Sequence, residues 1–243
     1  MKYYLVIIMT LLGSKILSQD IYFTVSFGYG TYTMNKMKRF QQTLAKSPMS
    51  SIHPKVIVSF PATLNWSATI GMQLNDQQRI GFDYSFQNTA GRNSLVDYSG
   101  AYNYDLLLQS HSLGLYYNQR LSQERFGPVM QLQIGYCWNL LELKESLTLY
   151  EQQIIDASEH FTSYSIFIEP LGGFYYYFNE LISADILIGF NLTTQSPFLW
   201  TEDPTHHLKG RYGTKVEADW TGVRLIASIY FKFPKKKANI AVR

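Results

Sequence analysis

The sequence predicts an all-β protein: a closed, antiparallel, up-and-down transmembrane β-barrel of about eight strands, with a short helix in its first external loop. Three observations predict it. Apolar residues recur with a period of two along most of the 243 residues, the pattern of strands with two different faces. The other face is small and polar, as the inside of a narrow barrel must be. The connections alternate between short and long, which a soluble barrel has no reason to do.

The chain opens with an address. Lys2 precedes an apolar run from Tyr3 to Leu12, broken only by Thr10. That run is too short to span a bilayer as a helix, which takes about 20 residues, but it suits the core of a secretory signal. Gly13, Ser14 and Ser18 follow it, so cleavage is expected after Ser18. Residues 1–18 are then a signal peptide and residues 19–243 a single barrel domain.

The first strand sets Ile21, Phe23, Val25, Phe27 and Tyr29 against Tyr22, Thr24, Ser26, Gly28 and Gly30. In the second, Leu64, Trp66, Ala68, Ile70, Met72 and Leu74 alternate with Thr63, Asn65, Ser67, Thr69, Gly71 and Gln73. The third has Ile80, Phe82, Tyr84 and Phe86 opposite Gly81, Asp83, Ser85 and Gln87, and the fourth Leu113, Leu115 and Tyr117 opposite Ser112, Gly114, Tyr116, Asn118 and Arg120. The fifth spans Met130 to Asn139, and the sixth, more mixed, Ser165 to Phe178. Ile182 to Thr193 and Gly222 to Phe233 form the last two. Short turns are expected at residues 75–78, 122–126 and 179–180. Long loops are expected at about residues 35–61, 88–103, 141–160 and 195–218. Trp66, Trp138, Tyr116, Tyr117, Tyr175, Tyr176, Tyr177, Tyr230 and Phe233 fall near strand ends, where aromatic girdles sit, although strands favour aromatics anyway.

Composition agrees with this reading. Charged residues are 16% and aromatics 16%, with 19 Tyr and 15 Phe. A net charge of +3, with no basic stripe, gives no footing for nucleic acid. The run Lys235-Lys236-Lys237 reads as a solvated tail. One cysteine, Cys137, cannot form an internal disulfide or a zinc site and is expected to pack within its strand.

With its signal segment, its alternation and the closing stretch from Val223 to Phe233, the chain resembles the small outer-membrane β-barrel proteins of the OmpA/OmpX type. In that family the last strand ends in an aromatic that the insertion machinery reads. Phe233 stands at that position, with ten residues after it. The resemblance implies residence in the cell outer membrane, with lipid and the barrel-insertion machinery as partners, no cofactor, and a monomer.

Five charges are expected to face the lumen: Asp83, Arg120, Glu169, Asp185 and Arg224. Burying a lone charge is expensive, so they are expected to pair across the interior. Ser110-His111-Ser112 is the one hint of catalysis, but neighbours on a strand point to opposite faces, so His111 and a serine cannot share a site there. His53, His160, His206 and His207 fall in predicted loops without metal-ligand spacing. In the first loop, Asn35 to Ser47 reads as a helix capped by Asn35, with Met37, Phe40 and Leu44 on one stripe. It is either a lid on the rim or a basic surface. Phe198, Leu199 and Trp200 form either an exposed binding surface or a flap over the lumen. The expected role is non-enzymatic: structural, adhesive or ligand-recognising through external loops. A narrow transport barrel and a lipid-modifying enzyme are the alternatives.

Overall fold

The computed structural model describes residues 19–46, 53–210 and 213–234; the signal segment and the terminal lysine run lie outside the described residues. Eight antiparallel strands close into a ring. In chain order the elements are β1 (Ile21–Gly30), α1 (Asn35–Ala45), β2 (Lys55–Ser59), β3 (Thr63–Gln73), β4 (Gln78–Asp97), β5 (Gly100–Arg120), β6 (Phe126–Leu149), β7 (Gln152–Tyr177), β8 (Ile182–Thr193), β9 (Ser196–Pro197), β10 (Leu199–Trp200), β11 (Glu217–Ala218) and β12 (Gly222–Phe233). The ring runs β1–β3–β4–β5–β6–β7–β8–β12 and returns to β1. Each ring strand pairs with the next ring strand in the chain, the small inserted strands aside, and the last, β12, closes on the first, β1.

The register fixes the shape. Phe174 on β7 pairs with Ile186, which pairs with Ala227, then Phe27, Trp66, Phe86, His111, Trp138 and Tyr164. The path comes back to β7 ten residues from its start (174 − 164 = 10). A shear of ten over eight strands sets a tilt of about 40° and a backbone radius of roughly 8 Å.

Side-chain parity follows the sequence. Outward positions carry exposed Phe27, Leu64, Ile70, Phe82, Leu113, Ile134, Ile166, Ile186, Ile188 and Leu225; Leu64 keeps 75% of its surface. Inward positions such as Thr24, Ser26, Thr69, Asp83, Ser112, Asn118, Gln131 and Ser228 are buried. A barrel with its greasy side chains outside and its polar ones inside is inverted relative to a soluble protein, and hydrocarbon is the solvent it suits.

The turns at residues 74–77, 121–125 and 178–181 close one end, where the described chain also begins and finishes. The opposite end differs from the sequence expectation. Residues 88–103 and 141–160 are not loops: β4 and β5 continue to a turn at Tyr98-Ser99, and β6 and β7 to one at Tyr150-Glu151. Above the lipid the outer face of these hairpins meets water and the inner face the cap, so the apolar parity of β5 and β6 switches to the buried Leu106, Leu108, Leu141 and Leu143 and the outward alternation of the lipid-facing part breaks off. Asp97 Oδ1 holds the first turn by accepting from Ser99 N at 2.8 Å and Gly100 N at 3.1 Å. Tyr150 and Glu151 both adopt positive φ (47° and 69°), the backbone of a two-residue hairpin turn whose twist matches the strands. β2 pairs along β4, so β2, β4, β5, β6 and β7 form a sheet that stands above the barrel.

The helix is present over Asn35–Ala45, but its cap is not Asn35. Met34 holds the N-cap position in the left-handed region with no side-chain cap bond. Backbone bonding from the barrel anchors that entry instead: Met34 N donates to Asp219 O at 3.3 Å. The stripe faces inward as a lid, with Met37 and Phe40 buried and Leu44 packed beside them.

Candidate functional site

The interior is filled in layers. Nearest the turn end, Arg120 Nη2 donates to Ser183 Oγ at 2.9 Å and lies 3.9 Å from Asp185 Oδ1. Asn118 Nδ2 reaches Asp185 at 3.3 Å. The Arg120 guanidinium sits over the rings of Tyr177 (4.1 Å) and Tyr175 (4.7 Å). Arg79, one residue before the third strand as read from sequence, stacks over Tyr230 at 4.5 Å. Tyr116 and Tyr230 share a hydroxyl–hydroxyl bond of 2.7 Å. Tyr116, Tyr175 and Tyr230, expected near a girdle, are instead buried lumen fillers. Their parity is that of Asn118 and Ser228, and that parity takes them inside.

Further up, Asp83 Oδ1 accepts from Thr69 Oγ1 at 2.6 Å. Above that, Arg224 Nε faces Glu169 Oε1 at 3.8 Å, and Arg224 Nη2 donates to Gln87 Oε1. Gly30 makes room for this arginine, since a Cβ there would stand 2.5 Å from Arg224 Nη1. A polar cavity of about 30 Å³ lies at this level, lined by Gln87, Gln131, Gln133, Glu169 and Arg224 among others. The structure thus places all five sequence-picked charges in the lumen, joins Arg120 to Asp185 and Arg224 to Glu169, and leaves Asp83 bonded to a threonine. Cys137 is buried at this height and accepts a 3.1 Å bond from Ser112 Oγ.

The hairpin end is capped by an apolar cluster. Trp220, fully buried, sits with Tyr32, Met34, Met37, Phe40, Leu106, Leu108, Leu141, Leu143, Phe161 and Phe198. Its Nε1 donates to Asn139 Oδ1 at 2.8 Å, and Tyr32 meets it edge-on at 4.8 Å. The expected external surface at Phe198, Leu199 and Trp200 is therefore corrected. Phe198 is buried in this cap, Leu199 and Trp200 pair with Thr162 and Phe161 of β7, and the segment folds over the mouth rather than away from it. Aromatics gain more by joining the inward apolar residues of β5–β7 than by facing water.

His111 looks outward. Its Nδ1 is 2.8 Å from Tyr84 Oη, and its ring stacks on Trp138 at 5.3 Å. Ser110 and Ser112 are buried on the other face. Among the described residues no serine hydroxyl is bonded to this imidazole, which stands in an aromatic band with Tyr84, Phe86 and Trp138.

Sequence reading missed Arg79 and Trp220. Arg79 has the parity of Asp83 and was legible as a lumen residue had the strand been extended by one. Trp220 lies in an irregular segment, where no periodicity points to its burial.

A closed eight-stranded ring, apolar outside, plugged by charge and tyrosine inside, with short turns at one end and long hairpins at the other, defines a small β-barrel of the outer-membrane type. No protein-family model matches the sequence, and no curated protein matches it. Among solved structures, the chain is similar to Neisserial surface protein A (NspA), with 13% identity, a TM-score of 0.40, and 89% of this chain and 97% of that one covered. It is also similar to OprG from Pseudomonas aeruginosa (12%, 0.44, 90% and 97%) and to Ail, the attachment invasion locus protein of Yersinia pestis (9%, 0.38, 89% and 99%).

Proposed function

We propose that this chain is an integral protein of a bacterial outer membrane that works by recognition at the cell surface, through the sheet its long hairpins raise above the lipid. The observation that carries this reading is the pairing of a blocked lumen with a rigid projection. β6 continues from Leu140 to Leu149 in unbroken register with β5, a rise of roughly 30 Å along the strand. The hairpin tips expose Val96, Tyr98, Tyr150 and Ile154, Tyr98 at 97%. Aromatic and aliphatic side chains on a pre-ordered support bind at low entropic cost. A transport role finds less support, because Arg224, Glu169 and the Trp220 cap stand in series along the lumen.

The test compares cells displaying the wild type with cells displaying the Tyr98→Ser/Tyr150→Ser variant, and with a chain whose two hairpins are cut back to the barrel rim. Heat-modifiable migration confirms that each inserts. Adhesion to immobilised matrix proteins and to other cells is then scored, and purified protein is placed in planar bilayers. Loss of adhesion in both variants, with no conductance steps in the wild type, is the expected result. Equal adhesion by all three, or stepwise conductance by the wild type, overturns the proposal.

A further inference from the structure

At the turn end of the lumen, arginines outnumber the carboxylates they reach. Arg120 takes Asp185 as its ion-pair partner. Arg79, only 4% exposed, makes no ion pair among the described residues. Its Nη2 reaches the already occupied Ser183 Oγ at 3.5 Å, and its Nη1 has no hydrogen-bond partner. A second donor beside it is also unsatisfied: the hydroxyl of Tyr22, 1% exposed, whose ring lies 5.6 Å from the Arg79 guanidinium. Tyr22 is laid into place by two facing glycines, for a Cβ on Gly71 would stand 2.6 Å from its hydroxyl and 2.7 Å from Gly81 Cα.

Arg79, Tyr22, Ser183 and Tyr230 form the inner wall of a vestibule of about 440 Å³ that opens at the turn end, with Gln73 and Lys232 nearer its mouth. Lys232 is engaged by Asp20 at 2.8 Å. Asp76 and Glu180 belong to the exposed turns at the rim. The surplus charge therefore lies at the inner wall, away from the rim carboxylates.

A buried guanidinium without a counter-charge is costly, whereas one that meets an oxyanion gains short, charge-assisted bonds. We propose that this vestibule binds a small oxyanion, a phosphate or a carboxylate, entering from the periplasmic side. The guanidinium of Arg79 turns Nη1 toward the vestibule, the Tyr22 hydroxyl donates a second bond, and the anion supplies the direct ion-pair partner that Arg79 lacks, Asp185 being shared with Arg120. Planarity and two parallel donors suit arginine to this task better than lysine.

The experiment uses the full mature chain in detergent micelles. Inorganic phosphate is titrated at constant ionic strength, with chloride making up the balance, and binding is followed by calorimetry and by the midpoint of the heat-modifiable transition. Acetate is titrated in a parallel arm. Saturable binding of either ion is expected, weakened about ten- to a hundredfold in Arg79→Gln and less in Tyr22→Phe. Lys232→Gln, at the mouth, is expected to bind nearly as the wild type does. Absence of a saturable response to both ions in the wild type overturns the site, and so does unchanged affinity in Arg79→Gln. Should Arg79→Gln fail to fold, Arg79→Lys takes its place: binding undiminished in that variant removes the two-donor geometry and overturns the proposal.

Discussion

Replacing Trp220 by alanine tests the cap. The indole is fully buried among Tyr32, Met34, Met37, Phe161 and Phe198. Emptying a site of that size costs about 3–5 kcal/mol when the surroundings cannot collapse. They are poorly placed to collapse here, because the walls are strands held in register and a helix pinned by Gln41, whose Nε2 donates to Val58 O at 2.6 Å and whose carbonyl accepts from Asn93 Nδ2 at 3.0 Å. Part of that cost is polar. Asn139 Oδ1 loses its donor, which by itself is worth about 1–3 kcal/mol when the acceptor stays buried. Trp220→Phe isolates that part, since it keeps most of the apolar contact. The expected order is wild type, then Trp220→Phe down by about 1–3 kcal/mol, then Trp220→Ala down by about 3–5 kcal/mol. Urea unfolding in lipid vesicles, read by tryptophan fluorescence and gel migration, gives the values, and limited proteolysis reports whether α1 is released. The Trp220→Ala barrel is still expected not to conduct, because the Arg224–Glu169 layer lies below the cap. Stability within about 0.5 kcal/mol of the wild type, the range of an ordinary surface substitution, would refute the view that the indole plugs the mouth.

Three further outcomes follow from the same geometry. Arg224→Met strands Glu169 in the lumen and is expected to cost about 3–5 kcal/mol, while Arg224→Met with Glu169→Gln recovers much of the loss; a double-mutant cycle in vesicles measures it, and equal losses in the single and double variants contradict the pairing. Ile188→Arg places a charge on the lipid face and is expected to cost about 2–4 kcal/mol if it lies near the midplane, whereas Tyr98→Arg at the hairpin tip is expected to be neutral; the reverse order would invert the membrane assignment. The bonds from Ser99 and Gly100 hold the exposed Asp97 carboxyl below its ordinary pKa. A lowered folded-state pKa stabilises the turn above the unfolded value of about 3.9 and loses that contribution as pH falls through the folded value, so protease cleavage at Tyr98 is expected to rise only in that acid window, and Asp97→Asn is expected to show the raised cleavage already at neutral pH.

The parts of the fold that were legible in the sequence are those in contact with lipid. β1, β3, β8 and β12 lie almost wholly within the barrel, so one face meets hydrocarbon and the other the lumen throughout, and their bounds agree with the alternation to within a residue or two. β4 to β7 leave the lipid halfway. Leu106, Leu107 and Leu108 run together because the middle one faces outward while its neighbours join the cap. Glu142, Lys144, Glu159 and His160 are charged or polar because both their strands are in water. The apolar residues also change parity, from Leu113 and Leu140 outside to Leu106, Leu108, Leu141 and Leu143 inside, so the alternation of the strand below does not run on into these stretches and they read as loops. The lumen charges were legible as a set, because inward parity plus charge is a local signal. Which charges meet was not: Arg120 and Asp185 are on strands three apart in the ring, and their meeting depends on the shear, which no single strand encodes.

That shear also sets where space is left in this molecule. A ring with a radius of roughly 8 Å leaves space for little more than one layer of side chains from each wall. Three arginines, three carboxylates and a stack of tyrosines occupy that space, and the polar cavity at the level of Arg224 and Glu169 measures about 30 Å³. Unpartnered polar atoms occur at several levels of the lumen, Gln131 Oε1, Glu169 Oε1 and Asn191 Oδ1 among them, but those of Arg79 and Tyr22 belong to residues that border the vestibule at the turn end, and the raised sheet carries exposed side chains at the other. A wider barrel could afford a working lumen, whereas the register of this one leaves about 30 Å³ in the polar middle against about 440 Å³ at the turn end. An insertion that raised the shear by two, placed in β6 and β7 together, is the change that would begin to reopen the centre.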